Sequence, residues 1–148
     1  MKKYLLDTGT IRRIGTNENV RKRYASLSGV HEIAYVSVLS IHEMYYGFSN
    51  AIGGEYEDKA RQAIDAVKAE FKNLILPITE DTAEIFGEIK RGYKEKTKVN
   101  PENIKKHTVD FMLIATAINE NAIFVTHDGI AKIVQEFRTD FKWEDWVK

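Results

Sequence analysis

Asp7, Glu43, Asp110 and Asp128 are the residues of this 148-residue chain best placed to do chemistry. Asp7 directly follows the apolar run Tyr4-Leu5-Leu6, and Asp128 lies three residues beyond Ala122-Ile123-Phe124-Val125. Glu43 falls on the helix expected after the β-branched run Ile33–Val38, and Asp110 falls at the start of the apolar stretch VDFMLIATAI. In open α/β sheets, sites gather outside the carboxyl ends of the strands, so all four acids could share one rim. Clustered carboxylates repel and need cations, shared protons or basic partners to coexist. Oxygen ligands without cysteine or paired histidine suit hard cations such as Mg²⁺ or Mn²⁺. Magnesium keeps several waters, so some of the four would act through water. Two such ions about 3.5–4 Å apart can activate a water and stabilise the leaving oxygen in phosphodiester hydrolysis.

Each acid also has a purely structural explanation. Asp7, beside Thr8, could cap the first helix. Glu43 closes Ser40-x-x-Glu43, which matches a capping box. Asp110 could complement a helix dipole from the first turn. Its apolar neighbours Val109, Phe111, Met112, Leu113 and Ile114 leave it little solvent unless it lines a cavity. Asp128 before Gly129 has the form of a turn. Only the joint arrangement favours a site.

The elements that must position these acids alternate along the chain. Tyr4–Leu6 is a short buried strand, and Thr8 to Gly29 carries helical spacing through Ile11, Ile14, Val20 and Leu27. Ile33–Val38 is the second strand. Ser37 or Ser40 caps the helix through Glu43 to about Phe48. Ala51 to Phe71 has the spacing of one long amphipathic helix, with Ala60, Ala63, Ile64 and Val67 on its apolar face. Leu74-Ile75-Leu76 is the third strand, stopped by Pro77. A helix opens at Thr79-Glu80-Asp81, turns Ala83, Phe86 and Ile89 inward, and ends near Asn100-Pro101. Thr108 then caps the buried helix, Ala122–Val125 is the fourth strand, a short helix follows Gly129, and Phe141 to Trp146 adds an edge strand. Strands alternating with helices predict an α/β fold with a mainly parallel sheet covered on both faces. No repeat or internal boundary divides the chain, so residues 1–148 read as one domain.

Composition bounds the function. Formal net charge is zero, which argues against a protein that coats nucleic acid with a uniformly basic surface. Cysteine is absent, excluding a disulfide framework and thiolate zinc. His31, His42, His107 and His127 show no paired metal spacing. The short apolar run after Lys2-Lys3 is no signal-peptide core, and no run reaches membrane-spanning length, so the expectation is a cytoplasmic protein with no membrane partner.

The joint arrangement carries a family resemblance. Leu5-Leu6-Asp7-Thr8 and Ser37-Val38-Leu39-Ser40-Ile41-His42-Glu43-Met44-Tyr45-Tyr46-Gly47 resemble the first two motifs of the PIN domain nucleases. Val109-Asp110-Phe111-Met112-Leu113-Ile114-Ala115-Thr116-Ala117 resembles the third, and Phe124-Val125-Thr126-His127-Asp128 the fourth, with Glu144-Asp145-Trp146 a fitting end. The motifs keep the family's order over nearly the whole chain. Within that family, a compact domain of this size resembles VapC, the toxin of VapBC toxin–antitoxin pairs. The resemblance implies a three-layer α/β/α fold and a Mg²⁺- or Mn²⁺-dependent endoribonuclease, a hydrolase leaving 5′-phosphate and 3′-hydroxyl ends. It also implies a homodimer, and inhibition by a small VapB-like antitoxin whose tail occupies the active-site groove. Asp7 and Asp110 would be the main metal ligands. Glu43 and Asp128 would complete the site directly or through water, and Thr8 and Thr126 would supply supporting hydroxyls. Gly9 departs from the family, standing where many members have Asn or Ser. The stretch Lys94–Lys106 is longer and more charged than usual.

Lys90, Arg91, Lys94, Lys96, Lys98, Lys105 and Lys106 outnumber Glu95 and Glu102 between Glu88 and His107. Arg12, Arg13, Arg21, Lys22 and Arg23 form a second basic cluster. Such runs are usually solvated helix faces. Beside an acidic pocket they become candidates for holding RNA phosphates, Arg91, Lys94, Lys105 and Lys106 among them. A Mg²⁺-binding receiver-like signalling domain is a rival, but it needs an aspartate after strand three, where this chain has Leu76-Pro77. A PIN-type RNA-processing nuclease outside any toxin–antitoxin pair is the other alternative.

Overall fold

A computed structural model describes all residues from Met1 to Lys148. Its centre is a five-stranded sheet of β1 (Lys2–Leu6), β2 (Glu32–Ser37), β3 (Ile75–Leu76), β4 (Ile123–Val125) and β5 (Trp143–Glu144). The strand order is β3-β2-β1-β4-β5, and every neighbouring pair is parallel. The helices are α1 (Thr8–Arg13), α2 (Glu18–Ala25), α3 (Val38–Ala51), α4 (Glu57–Glu70), α5 (Ala83–Thr97), α6 (Pro101–Lys105), α7 (Thr108–Asn119) and α8 (Ile130–Gln135). A 3₁₀ turn, Glu80–Thr82, leads into α5. The mainly parallel α/β expectation therefore holds, and the Phe141–Trp146 segment does add the edge strand.

The period-2 alternation of a strand divides the core into two layers. Leu5 faces a cluster with Ile89, Phe111, Ile114, Phe124 and Phe141, drawn largely from α5 and α7. Tyr4 and Leu6 face the opposite way, against Ile11, Val20, Val36, Phe71 and Trp146. With both faces covered, β1 has no solvent side and its residues from Tyr4 to Leu6 are fully buried. The apolar helix α7 is buried from Leu113 through Ala117, as its sequence requires. No helix is long and apolar enough to cross a membrane.

Two local expectations are corrected, and one choice left open by the sequence is settled. The helix expected over Ala51–Phe71 begins only at Glu57, because Gly53 takes φ +83° and ends the run of α3. Glycine adopts that left-handed conformation without steric cost. Ser37, not Ser40, caps α3, its Oγ accepting from the Leu39 N–H at 3.1 Å. His107 occupies the cap position of α7, and the Thr108 hydroxyl turns back to donate to the Lys105 carbonyl at 2.9 Å.

A close approach locks α5 to the segment after α8. A Cβ on Gly92 would stand well inside van der Waals contact with the Phe137 ring, so only glycine lets that ring seat against the helix. Arg138 reinforces the junction by donating to Glu88 of α5 and to Asp140. Gly92→Ala is expected to destabilise the protein by about 1–3 kcal/mol through overpacking, with partial recovery when Phe137→Leu is added. Thermal melts of the single and double variants check this.

Candidate active site

The chain runs outward from β1 through β2 to β3, then crosses back to β4 on the other flank of β1. That reversal makes the carboxyl ends of β1 and β4 a topological switch point, where the diverging connections leave a crevice. Asp7 sits there, its backbone N–H donating to the Val125 carbonyl at 3.0 Å. Its carboxylate is held from two sides. Oδ1 accepts from the Thr10 N–H at 2.7 Å, capping α1, and Oδ2 accepts from the Thr126 hydroxyl at 2.6 Å. The cap and the site are one arrangement, for the cap fixes the side chain at the crevice.

Glu43 arrives from α3 and makes no capping box. Its Oε1 accepts from the Thr8 hydroxyl at 2.7 Å, while the fully buried Ser40 Oγ lies 2.9 Å from the same hydroxyl. Asp128 is a turn residue in part, with Oδ1 accepting from the Ile130 N–H at 2.9 Å. Its own N–H donates to Thr126 Oγ1 at 3.0 Å, so Thr126 links Asp7 to Asp128. Asp110 comes from the first turn of α7, with His107 Nδ1 3.5 Å from its Oδ2.

All four acids line one cavity of about 300 Å³ with Thr8, Gly9, Arg12, Arg13, Leu113 and His127. Burial pushes the Asp110 carboxyl above the ordinary carboxylate range, and the charge of Asp128 adds to this. His107 opposes the shift and Asp7 contributes to it. No three acidic or histidine side chains converge tightly enough to be direct ligands of one ion. The all-oxygen donor set is of the kind that suits a hard divalent cation. Asp7 and Asp110 could hold it, with Glu43 and Asp128 acting through water.

The cluster Arg12, Arg13, Arg21, Lys22 and Arg23 divides by location. Arg12 and Arg13 reach the acidic cavity. The Arg13 guanidinium lies 3.1 Å from where a Cβ on Gly9 would stand, occupying the space that Asn or Ser would need. Arg23 instead donates to the buried Tyr4 hydroxyl at 2.8 Å and lies over the rings of Tyr4 and Trp146. Lys22 pairs with Glu18 on the exposed face of α2. Arg91, Lys94 and Lys105 line a separate groove between α5 and α6, and Lys106 is exposed beside it.

One further contact at the cavity has little signature in the sequence. His127 Nδ1 lies 2.8 Å from Oδ2 of Asp145, whose other oxygen accepts from the Val147 N–H at 2.9 Å. Burial alone would raise the Asp145 carboxyl, but His127, the Val147 N–H and Lys148 hold it below the ordinary range. The charged Asp145 therefore requires a proton on Nδ1 and fixes the ring at the cavity wall. The only hint in the sequence is a histidine beside Asp128 and an aspartate in the terminal Glu144-Asp145-Trp146.

A larger apolar groove of about 830 Å³ adjoins the acidic cavity, with Arg12 lining both. Ile11 of α1, Ile14 directly after it, Met44 of α3, and Ala63, Val67 and Phe71 on or beside α4 contribute to it. Ala63, expected on a buried face, is exposed there.

Comparison with known proteins agrees with this architecture. The family model described as PIN domain matches residues 4–136. The fold is similar to that of VapBC2 from Rickettsia felis bound to a DNA fragment from their promoter, at TM-score 0.72 and 18% identity, covering 97% of this chain and 98% of that one. FitAcB from Neisseria gonorrhoeae is similar at TM-score 0.74 and 22% identity, covering 97% of each chain. VapBC-1 from nontypeable Haemophilus influenzae is similar at TM-score 0.71 and 22% identity, covering 99% of each. No curated protein sequence gives a match.

The electrostatics yield a stability prediction with a definite sign. Asp110 has a raised folded-state pKa, so its ionisation disfavours the folded state once pH exceeds the ordinary carboxylate value of about 4. In chelator at neutral pH, Asp110→Asn is expected to melt at a higher temperature than the wild type. That advantage should shrink as pH falls through the raised pKa and toward the ordinary one. Melting curves across pH with EDTA present check it.

Proposed function

We propose that this chain, which belongs to the PIN domain family, is a Mg²⁺- or Mn²⁺-dependent endoribonuclease and the toxin of a toxin–antitoxin pair. The observation that carries the catalytic reading is the gathering of Asp7, Glu43, Asp110 and Asp128 in one cavity at the switch point.

A divalent cation there would lower the pKa of bound water and offset charge on the phosphodiester as it is cleaved. The chain's own side chains do the rest. Asp7 and Asp110 would hold the cation, and Thr126 and the Thr10 N–H keep Asp7 aimed. Thr8 orients Glu43, whose carboxylate accepts protons or water hydrogen bonds at the other wall. Arg12 and Arg13 bring positive charge to the mouth, where a phosphate would approach a ring of acids. In-line attack by water leaves 5′-phosphate and 3′-hydroxyl ends.

The apolar groove favours the toxin reading over a solitary RNA-processing nuclease. An exposed apolar groove beside a catalytic cavity suits an inhibitory partner segment. The resemblance to VapC, together with fold neighbours that are VapBC and FitAcB assemblies, supports a VapB-like antitoxin as occupant. Arg12, shared by groove and cavity, is positioned to meet an acidic residue at the end of such a segment.

Purified protein incubated with structured RNAs should cleave them with Mg²⁺ or Mn²⁺ and not in chelator. Removing groups that merely orient ligands costs about 10–100-fold, so Asp7→Asn and Asp110→Asn should each lose at least about 100-fold in rate. Equal cleavage by wild type and both variants would refute the assignment.

The toxin reading is checked at the reading frame beside this gene. Its product should bind the chain and inhibit cleavage, and Ala63→Arg should weaken that binding at least about tenfold by burying a charge in the groove. Absence of any binding partner encoded there would favour the processing nuclease.

A further inference from the structure

A second site follows from the faces of α5 and α6 that the catalytic cavity does not use. Lys90, Arg91 and Lys94 recur at helical spacing on one side of α5, and Lys105 faces them from α6. The two helices enclose a groove of about 390 Å³, lined by these four cations and by no acid. Its floor includes the buried Ile104, and Gly87 leaves its wall open because nothing stands where a side chain would project.

Arg91, Lys94 and Lys105 are exposed, while the half-buried Lys90 holds its ammonium over the Phe86 ring at 5.9 Å. Arg91 pairs with Glu95 at 3.0 Å and Lys105 with Glu102 at 3.7 Å, but both pairs are exposed and yield readily to a competing anion. The chain as a whole carries no net charge, so the groove is a local concentration and not part of a generally basic surface. Its α6 end is joined to the acidic cavity by a short stretch of chain. Lys105 is two residues from His107, a span of at most about 7 Å. His107 in turn touches Asp110, and the Tyr93 ring of α5 packs against it at 5.4 Å.

We infer that the α5–α6 groove binds the sugar-phosphate backbone of single-stranded RNA on one side of the scissile bond. This rests on the ribonuclease reading and gives that site a longer footprint. Cations on two facing helices grip successive phosphates, while the corner at His107 hands the strand to the acids. Recognition through phosphates is independent of sequence, so the groove contributes affinity and register.

The test uses full-length protein carrying Asp110→Asn, so that bound RNA survives. Fluorescent single-stranded RNAs from about 4 to about 16 nucleotides are titrated at several salt concentrations and followed by anisotropy. Affinity should rise with length in this parent. Adding Lys90→Gln, Arg91→Gln and Lys94→Gln should weaken the longest RNA at least about tenfold and flatten the salt slope by about 2, three contacts at roughly 0.7 each. Removing Lys68 and Lys72, which lie outside the groove, should not reproduce this. Unchanged affinity and slope in the triple variant, or the same loss per charge in the Lys68→Gln/Lys72→Gln control, would overturn the groove. A parent that binds no RNA of any length would instead overturn the ribonuclease reading beneath it.

Discussion

Carboxylates brought together around one cavity repel, and the fold holds them only where other groups fix their positions. Asp7 is the pivot. Its backbone N–H joins β1 to β4, its Oδ1 starts α1, and its Oδ2 is held by Thr126 after β4. Thr10 adds a hydroxyl bond to the Val125 carbonyl at 3.1 Å, closing the same corner. Three elements therefore meet through one side chain, and the meeting point is the crevice that a reversal of strand order opens. The remaining acids arrive on separate supports: Glu43 through Thr8, Asp128 through Thr126, and Asp110 on the rigid buried α7. The repulsion persists at Asp110, which burial and Asp128 keep readier to hold a proton than an ordinary aspartate. A site built this way trades stability for the capacity to take a cation.

The same pivot organises what surrounds it. Arg12 and Arg13 follow Asp7 on α1 and so are delivered to the cavity mouth by the helix that Asp7 caps. That helix also contributes Ile11, and the residue directly after it, Ile14, to the apolar groove, which makes the groove and the cavity neighbours by construction. From Asp110 a short chain leads back through His107, which it contacts, to α6 and the basic groove. The proposed catalysis and the proposed inhibition meet at one corner of the sheet, with the proposed RNA contact reached from it through His107.

Much of this is legible in the residues because strong local signals coincide with the topology. Burial on both faces of β1 shows in the unbroken apolar run Tyr4–Leu6, and the buried helix shows in VDFMLIATAI with Asp110 as its one acid. The order of strands and helices then places the acids on one rim. Sequence and structure part where one residue or one distant contact decides. The helix expected from Ala51 is delayed to Glu57 by the backbone of Gly53, which apolar spacing does not register. His127 against Asp145 and Gly92 beneath Phe137 depend on tertiary approach. In sequence the basic residues differ only in position along the chain, whereas the fold sends Arg13 to the cavity, Arg23 into aromatic packing and Lys105 to another groove.

Whether the corner at Asp7 holds a divalent cation is read most directly by anomalous diffraction from crystals grown with Mn²⁺, which needs no assumption about substrate. A peak is expected in the cavity between Asp7 and Asp110, within direct bonding distance of a carboxylate oxygen of at least one of them and with water completing the shell. A fully occupied Mn²⁺ elsewhere on the protein, with none in this cavity, would contradict it.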